Sequence, residues 1–328
     1  MADSEALTTL MADFALPEFH CPFPAAFAHS RHPAATEVEE AITAALHRNG
    51  STLVQRAVSG IHLVDYAGRL YPDATAAGLQ AVSWYFVVFS VLDEWSEPKD
   101  GYGQRYTPGA DSEDPHARQL AQLLRPVQRF LTDAGGQAAV EGFRIAFESA
   151  MQARMWELDH LQTGSVPSLA VYPELRRQSS MAVPLLELHP LLFGMPAAAR
   201  RLDHPAVRQL RMMLLNCVLW SNDLLSLAKE LRERSPMNLA LVLQKDLGCV
   251  LQQAVDEVGE LIKRETLAYL RLKEQLPRIG IGTPDELAAV TALLDREERW
   301  YADSIEWHKS PRYGIGKLTG QTLTIGDQ

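Results

Sequence analysis

No part of this chain gathers a block of lysines and arginines, none reaches eighteen uninterrupted apolar residues, and β-branched alternation between turn residues is almost missing. Each absence excludes something. With a net charge of −10 at neutral pH and no basic block, the chain lacks the electrostatic footprint of a nucleic-acid groove or of a lasting grip on anionic membrane. Its longest oily run, "AVSWYFVVFSVL" at 81–92, has the length of a buried helix segment rather than of a membrane span, so no membrane insertion is expected. The scarcity of strand signals leaves an all-α fold. Cysteine is scarce too: Cys21, Cys217 and Cys249 are odd in number, far apart and set among apolar residues, which reads as reduced packing cysteines of a cytoplasmic protein. The start "MADSEALTTLMADFALPEF" opens on acids instead of a basic region, so no signal peptide is expected.

What is present is enough to bury a large core. The chain has 328 residues, 47% hydrophobic and 22% charged, and needs no disulfide or partner for stability. Residues 1–35 contain "LPEFHCPFPAAF", too rich in proline and aromatics for a helix, and read as an extended segment packed on the body. "PAATEVEEAITAALHRN" then shows helix start and stop signals. Further helices are expected near 52–70, 75–97, 115–133, 136–163, 173–192, 203–233, 236–243, 247–276 and 284–309. A loop crowded with Gly, Pro and Asp spans 97–116, and loops of that length are usually functional or mobile. No linker divides the helices, so 1–328 reads as a single domain, with 314–328 a C-terminal tail.

One polar stretch stands out, "WSNDLLSLAKE" at 220–230, because "MMLLNCVLW" leads straight into it and "NLALVLQ" follows it. A solvated face should not begin so deep in apolar sequence. Asn222, Ser226 and Glu230 lie at i, i+4 and i+8, nearly one line along a helix with about 6 Å of rise per step. Three oxygen donors so spaced can converge on a hard cation such as magnesium. Such a cation wants six or more oxygens, and "WYFVVFSVLDEWSE" offers more: Asp93, Glu94 and Glu97, with Asp93 and Glu97 one turn apart.

At these residues the chain resembles the class I terpene synthases of bacterial type. "NDLLSLAKE" fits the second metal motif of that family at every specified position, with Asn222, Ser226 and Glu230 as the implied ligands, Asp223 beside the first and Lys229 before the last. "SPRYG" supplies the pair Arg312 and Tyr313, whose family role is hydrogen bonding to diphosphate. "YPELRRQSS" resembles the segment carrying the diphosphate-sensing arginine, which the usual spacing puts at Arg176, with Arg177 the fallback. Ser179 and Ser180 then take the linker and effector positions at the following helix break. The first motif departs from the usual two aspartates and a third acid: it reads Asp93, Glu94, Trp95, Ser96, Glu97, keeping the principal ligand but lengthening its neighbours. The resemblance covers nearly the whole chain.

It implies a single-domain helical bundle around a central apolar cavity. The implied reaction is ionisation of a prenyl diphosphate with magnesium, three ions held by Asp93, Glu97, Asn222, Ser226 and Glu230, followed by cyclisation of the carbocation. Arg176, Lys229, Arg312 and Tyr313 would donate to the departing diphosphate. Aromatic faces stabilise a carbocation without attacking it, and Phe89, one turn before Asp93, is the first candidate, with Phe86, Trp300 and Trp307 behind it. Farnesyl diphosphate is the expected substrate and geranylgeranyl diphosphate the alternative; a homodimer would fit the resemblance.

Three other readings compete. A two-iron helical bundle needs paired Glu-x-x-His motifs, and Glu157 to His160 supplies one on a helix, whereas "EDPH" at 113–116 sits in a loop. Head-to-tail prenyl elongation calls for two aspartate-rich motifs where one acid-rich segment is visible. A non-catalytic helical binding protein leaves the Asn, Ser, Glu line unexplained.

Overall fold

The computed structural model describes residues 14–18, 20–48, 63–96 and 113–308, with 94–96 described in backbone only. Among them every regular element is helical and no strand occurs. The chain divides into two compact units and passes between them four times: one holds Met1–Ala25, Asp159–Arg177 and Arg201–Gln328, the other Ala26–Leu158 and Gln178–Arg200.

In the second-named unit, α1 (Ala35–Arg48) packs on α2 (Leu63–Leu70) and both pack on α3 (Ala76–Ser96). The window Ala76–Asp93 of α3 has a mean hydropathy of 1.3, enough by composition to cross a membrane although no eighteen-residue run is unbroken, but 72% of it is buried inside the protein. It is the core helix of its unit. Close approach of α3 to the end of α6 (Ala182–Leu192) fixes one glycine: a Cβ on Gly78 would lie 2.5 Å from the Leu192 carbonyl oxygen. The long α4 (Pro115–Thr163) is two helices meeting at Gly136, whose φ of 68° and ψ of −165° suit only glycine, so the two helices predicted for this stretch are recovered with their junction.

The expectation of one helix over 173–192 is corrected. α5 (Tyr172–Ser179) ends and α6 begins after Met181, which sits in the left-handed region at φ 61°. In the second unit the Met181 carbonyl accepts from the buried Tyr85 hydroxyl. A short α7 (Pro196–Ala199) was not foreseen.

The first-named unit is built on α8 (Pro205–Glu233), which packs against α10 (Leu251–Ile279) and α11 (Pro284–His308), with α9 (Leu239–Leu247) against α8 and α10. α8 starts where His204 caps Pro205 and ends where Arg234 turns left-handed at φ 57°. α9 begins at Leu239 rather than 236, because Asn238 is an N-cap whose side chain accepts from the Ala240 amide at 2.9 Å. Residues 14–18 and 20–25 carry neither helix nor strand. Phe23 stacks edge-on against Tyr269 and Tyr301 at 5.9 and 6.1 Å. Gln252 bonds both the amide and the carbonyl of Ala15, at 2.7 and 3.1 Å.

Candidate active site

Helix α8 carries the polar line, and the residues before and after Asn222 explain why it can be polar inside an apolar wall. Asp223 is fully buried, yet every approach to it is a donor. Arg176 gives Nε at 3.1 Å and Nη2 at 2.9 Å to Oδ1, while the Tyr172 hydroxyl gives 2.7 Å and the Leu239 amide 3.0 Å to Oδ2. The Leu239 amide belongs to the N-terminus of α9, where the free amides and the helix dipole both favour a carboxylate. Asp223 thus ties three helices of this unit together, α5 through Arg176 and Tyr172 and α9 through Leu239.

The triad itself is contiguous. Ser226 Oγ lies 2.6 Å from the Asn222 carbonyl and 2.8 Å from Glu230 Oε1, and Asn238 Nδ2 lies 2.6 Å from both Glu230 Oε2 and the Asp223 carbonyl. Asn222 accepts from Arg176 Nη2 at 2.9 Å through Oδ1 and reaches His308 Nε2 at 2.6 Å through Nδ2. Burial, and then the charge of Asp223, push the Glu230 carboxyl up to about 7, against the lowering by Arg176, Asn238 and Ser226. Arg176 thus hydrogen-bonds Asp223 and acts on Glu230 through its charge. An amide oxygen, a hydroxyl and a carboxylate are the donor set a hard divalent cation takes, so the residues fit such an ion. Among the described residues, no three His, Cys, Asp or Glu side chains gather as a metal would need, and the Glu157 and His160 pair finds no second pair of its kind.

Arg177, the fallback, points elsewhere: it donates to Asn216 at 2.8 Å and also contacts Glu174. Lys229 shares α8, but its ammonium pairs with Glu233 at 3.0 Å. Trp300 is buried on α11.

Trp307, also on α11, is half-buried, and the remaining described candidates lie in the other unit. Asp93, near the end of α3, has a side chain 49% exposed, with Arg154 Nη2 3.7 Å away. Arg154 is buried and also reaches the carbonyls of Ser179 at 3.3 Å and Leu92 at 3.4 Å, so it joins the first acid cluster to the break after α5. Ser179 is fully buried and its hydroxyl has no partner among the described residues. The Ser180 hydroxyl accepts from the Ala182 amide at 3.2 Å. Phe89 is half-buried, and Phe86 packs between Tyr66 at 5.2 Å and Tyr71 at 6.2 Å. Glu97, Arg312 and Tyr313 lie outside the described residues.

Sequence reasoning missed Tyr172, Asn238, Arg154 and His308. Asn238 alone carried a local signal, an N-cap residue ahead of an apolar run.

A family model described as terpene synthase family 2, C-terminal metal binding, matches residues 89–266 and so takes in the triad, Arg176 and Asp93. The chain belongs to this terpene synthase family. It is a class I terpene synthase, a lyase acting on prenyl diphosphates, and it uses divalent metal. The α-muurolene synthase of Coprinopsis cinerea is 28% identical over 95% of this chain and 77% of the relative. The (+)-T-muurolol synthase, (2E,6E)-farnesyl diphosphate cyclizing, of Roseiflexus castenholzii is 28% identical over 74% of this chain and 76% of its own. The germacradien-4-ol synthase of Streptomyces citricolor aligns with a TM-score of 0.68 at 19% identity, over 89% of this chain and 98% of that one, which shows the shared fold.

Proposed function

We propose that this terpene synthase ionises farnesyl diphosphate with magnesium and closes the carbocation to a cyclic sesquiterpene, releasing diphosphate. The observation that carries the chemistry is the Asn222, Ser226, Glu230 line, whose three oxygens suit a cation. The chain length is supported by the relatives, one of which is named for cyclising (2E,6E)-farnesyl diphosphate.

The residues proposed to hold magnesium, three ions in all, are Asn222, Ser226 and Glu230 on α8 and Asp93 with Glu97 on and after α3. Bound magnesium supplies Lewis acidity to the leaving diphosphate. The chain's own donors then share the charge of the leaving group. Arg176 is already held with its guanidinium along the motif by Asp223, and Lys229, Arg312 and Tyr313 add charge-assisted hydrogen bonds. Ser179 and Ser180 stand at the helix break that follows the arginine, in the linker and effector roles. Phe89 and Phe86 offer ring faces to the carbocation. The chain 1–328 is proposed to act as one catalytic domain. It is proposed to work in the cytoplasm, as a homodimer and without inserting into membrane.

Diphosphate release from farnesyl diphosphate, followed with Asn222→Ala beside the native chain, tests the ligand assignment. Loss of magnesium-dependent release in the variant is expected; full retention would remove Asn222 from the metal set.

A further inference from the structure

Asn222 is symmetrical in shape, and the direction of its amide decides whether it attracts or repels a cation. Its oxygen is a ligand; its NH2 group has only donors to offer. The surrounding hydrogen bonds fix the choice. Arg176 Nη2, 2.9 Å away, can only donate, so the amide atom facing it is Oδ1. The other amide atom is then Nδ2, a donor, which lies 2.6 Å from His308 Nε2. That nitrogen must accept, and the imidazole proton therefore sits on Nδ1, where it meets the Ser304 carbonyl at 2.5 Å. Every donor in the chain from Arg176 to Ser304 faces an acceptor.

His308 is in a position to enforce this. It lies on α11 in the last described turn, is only 7% exposed, and is tied at Nδ1 to a helix carbonyl that cannot turn away. Arg176 alone would not suffice, because the same nitrogen also serves Asp223 and, in the proposed function, donates to the diphosphate. Once it leaves Asn222, its donor no longer rejects a flipped amide on that side. The acceptor at His308 still does.

We propose that His308 is a positioning residue for the metal site: its Nδ1-protonated imidazole holds the Asn222 NH2 and so keeps the amide oxygen, not the nitrogen, available to the cation. The inference rests on the reading of Asn222 as a magnesium ligand. A ligand-orienting partner of this kind is worth ~10-fold to 100-fold in metal affinity. His308→Phe keeps the ring and removes the acceptor, whereas His308→Gln offers an amide oxygen near the place of Nε2.

The test is calorimetric titration of magnesium with inorganic diphosphate into the full chain, with unliganded melting temperature recorded for each variant. His308→Phe is expected to weaken binding by ~10-fold or more, His308→Gln to restore most of it, and Asn222→Ala with His308→Phe to bind no worse than Asn222→Ala alone. Weakening by Asn222→Ala but not by His308→Phe would overturn the positioning role while leaving the ligand intact. Additive losses in the double variant would overturn it as well, since His308 would then act independently of Asn222. No weakening by Asn222→Ala would remove the ligand reading and this proposal with it.

Discussion

Arg176 sets both its Nε and one Nη on the same oxygen of Asp223, at 3.1 and 2.9 Å, with the carboxylate fully buried and the guanidinium side chain 13% exposed. The pair lies beside the metal motif, yet Asp223 faces α5 and α9 and acts as their tie. A buried ion pair broken on one side leaves an uncompensated charge, which costs ~3–5 kcal/mol. Asp223→Ala is therefore expected to lower unfolding free energy by that amount in urea titration. A loss below ~1 kcal/mol, the scale of an exposed pair, would mean that Asp223 does not tie these helices.

A second buried pair needs a different prediction. Arg211 on α8 holds Glu297 on α11 by Nε at 3.0 and 3.1 Å and Nη2 at 2.7 Å, with side chains 4% and 1% exposed. Removing Arg211 alone strands a carboxylate and costs ~3–5 kcal/mol, whereas replacing both residues by apolar ones of similar volume is often neutral or stabilising. Arg211→Met is expected to be severely destabilising and Arg211→Met with Glu297→Leu to recover most of the loss. Equal losses in the single and double variants would assign the cost to packing.

The thiols are expected to separate cleanly. Burial pushes Cys21 and Cys217 up to about 12, so neither forms thiolate at pH 8, while Cys249 is half-buried. One thiol per native chain should react with a disulfide reagent, and peptide mapping should place it at Cys249. Labelling of Cys217 before unfolding would contradict the burial described for α8.

Two glycines should respond in opposite ways to alanine. At Gly78 the added methyl would meet the Leu192 backbone at 2.5 Å, and overpacking against backbone costs ~1–3 kcal/mol. At Gly142, inside α4, its nearest neighbour would be Glu187 at 3.5 Å, and a glycine replaced by alanine within a helix gains ~0.5–1 kcal/mol. Thermal melts of Gly78→Ala and Gly142→Ala should shift down and up respectively; an upward shift for Gly78→Ala would contradict the close approach of α3 and α6.

Much of the fold was legible because helices announce themselves through apolar periodicity and caps. α8, α10 and α11 lie where the pattern puts them, and Gly136 marks the junction between the two helices predicted for 115–163. The break at Met181 is not marked by glycine or proline at that position, since a left-handed methionine is held by tertiary contacts, the Tyr85 hydroxyl among them. Spacing alone made the triad visible, because i, i+4 and i+8 is a local relation. Tyr172, Asn238 and His308 meet α8 from 15 to 86 positions away, and no local pattern records such a partnership. Arg176 and Arg177 likewise both reach α8, at Asn222 and at Asn216, and no local pattern in α5 records which of the two meets the triad.

The central claim is tested most directly by incubating the purified protein with geranyl, farnesyl and geranylgeranyl diphosphates, each with magnesium and with chelator, and reading volatile products by gas chromatography and mass spectrometry. A cyclic fifteen-carbon product from farnesyl diphosphate, abolished by chelator, is the expected result. A cyclic product from geranylgeranyl diphosphate alone would overturn the substrate, and product formation undiminished by chelator would contradict the magnesium-dependent chemistry assigned to Asn222, Ser226 and Glu230.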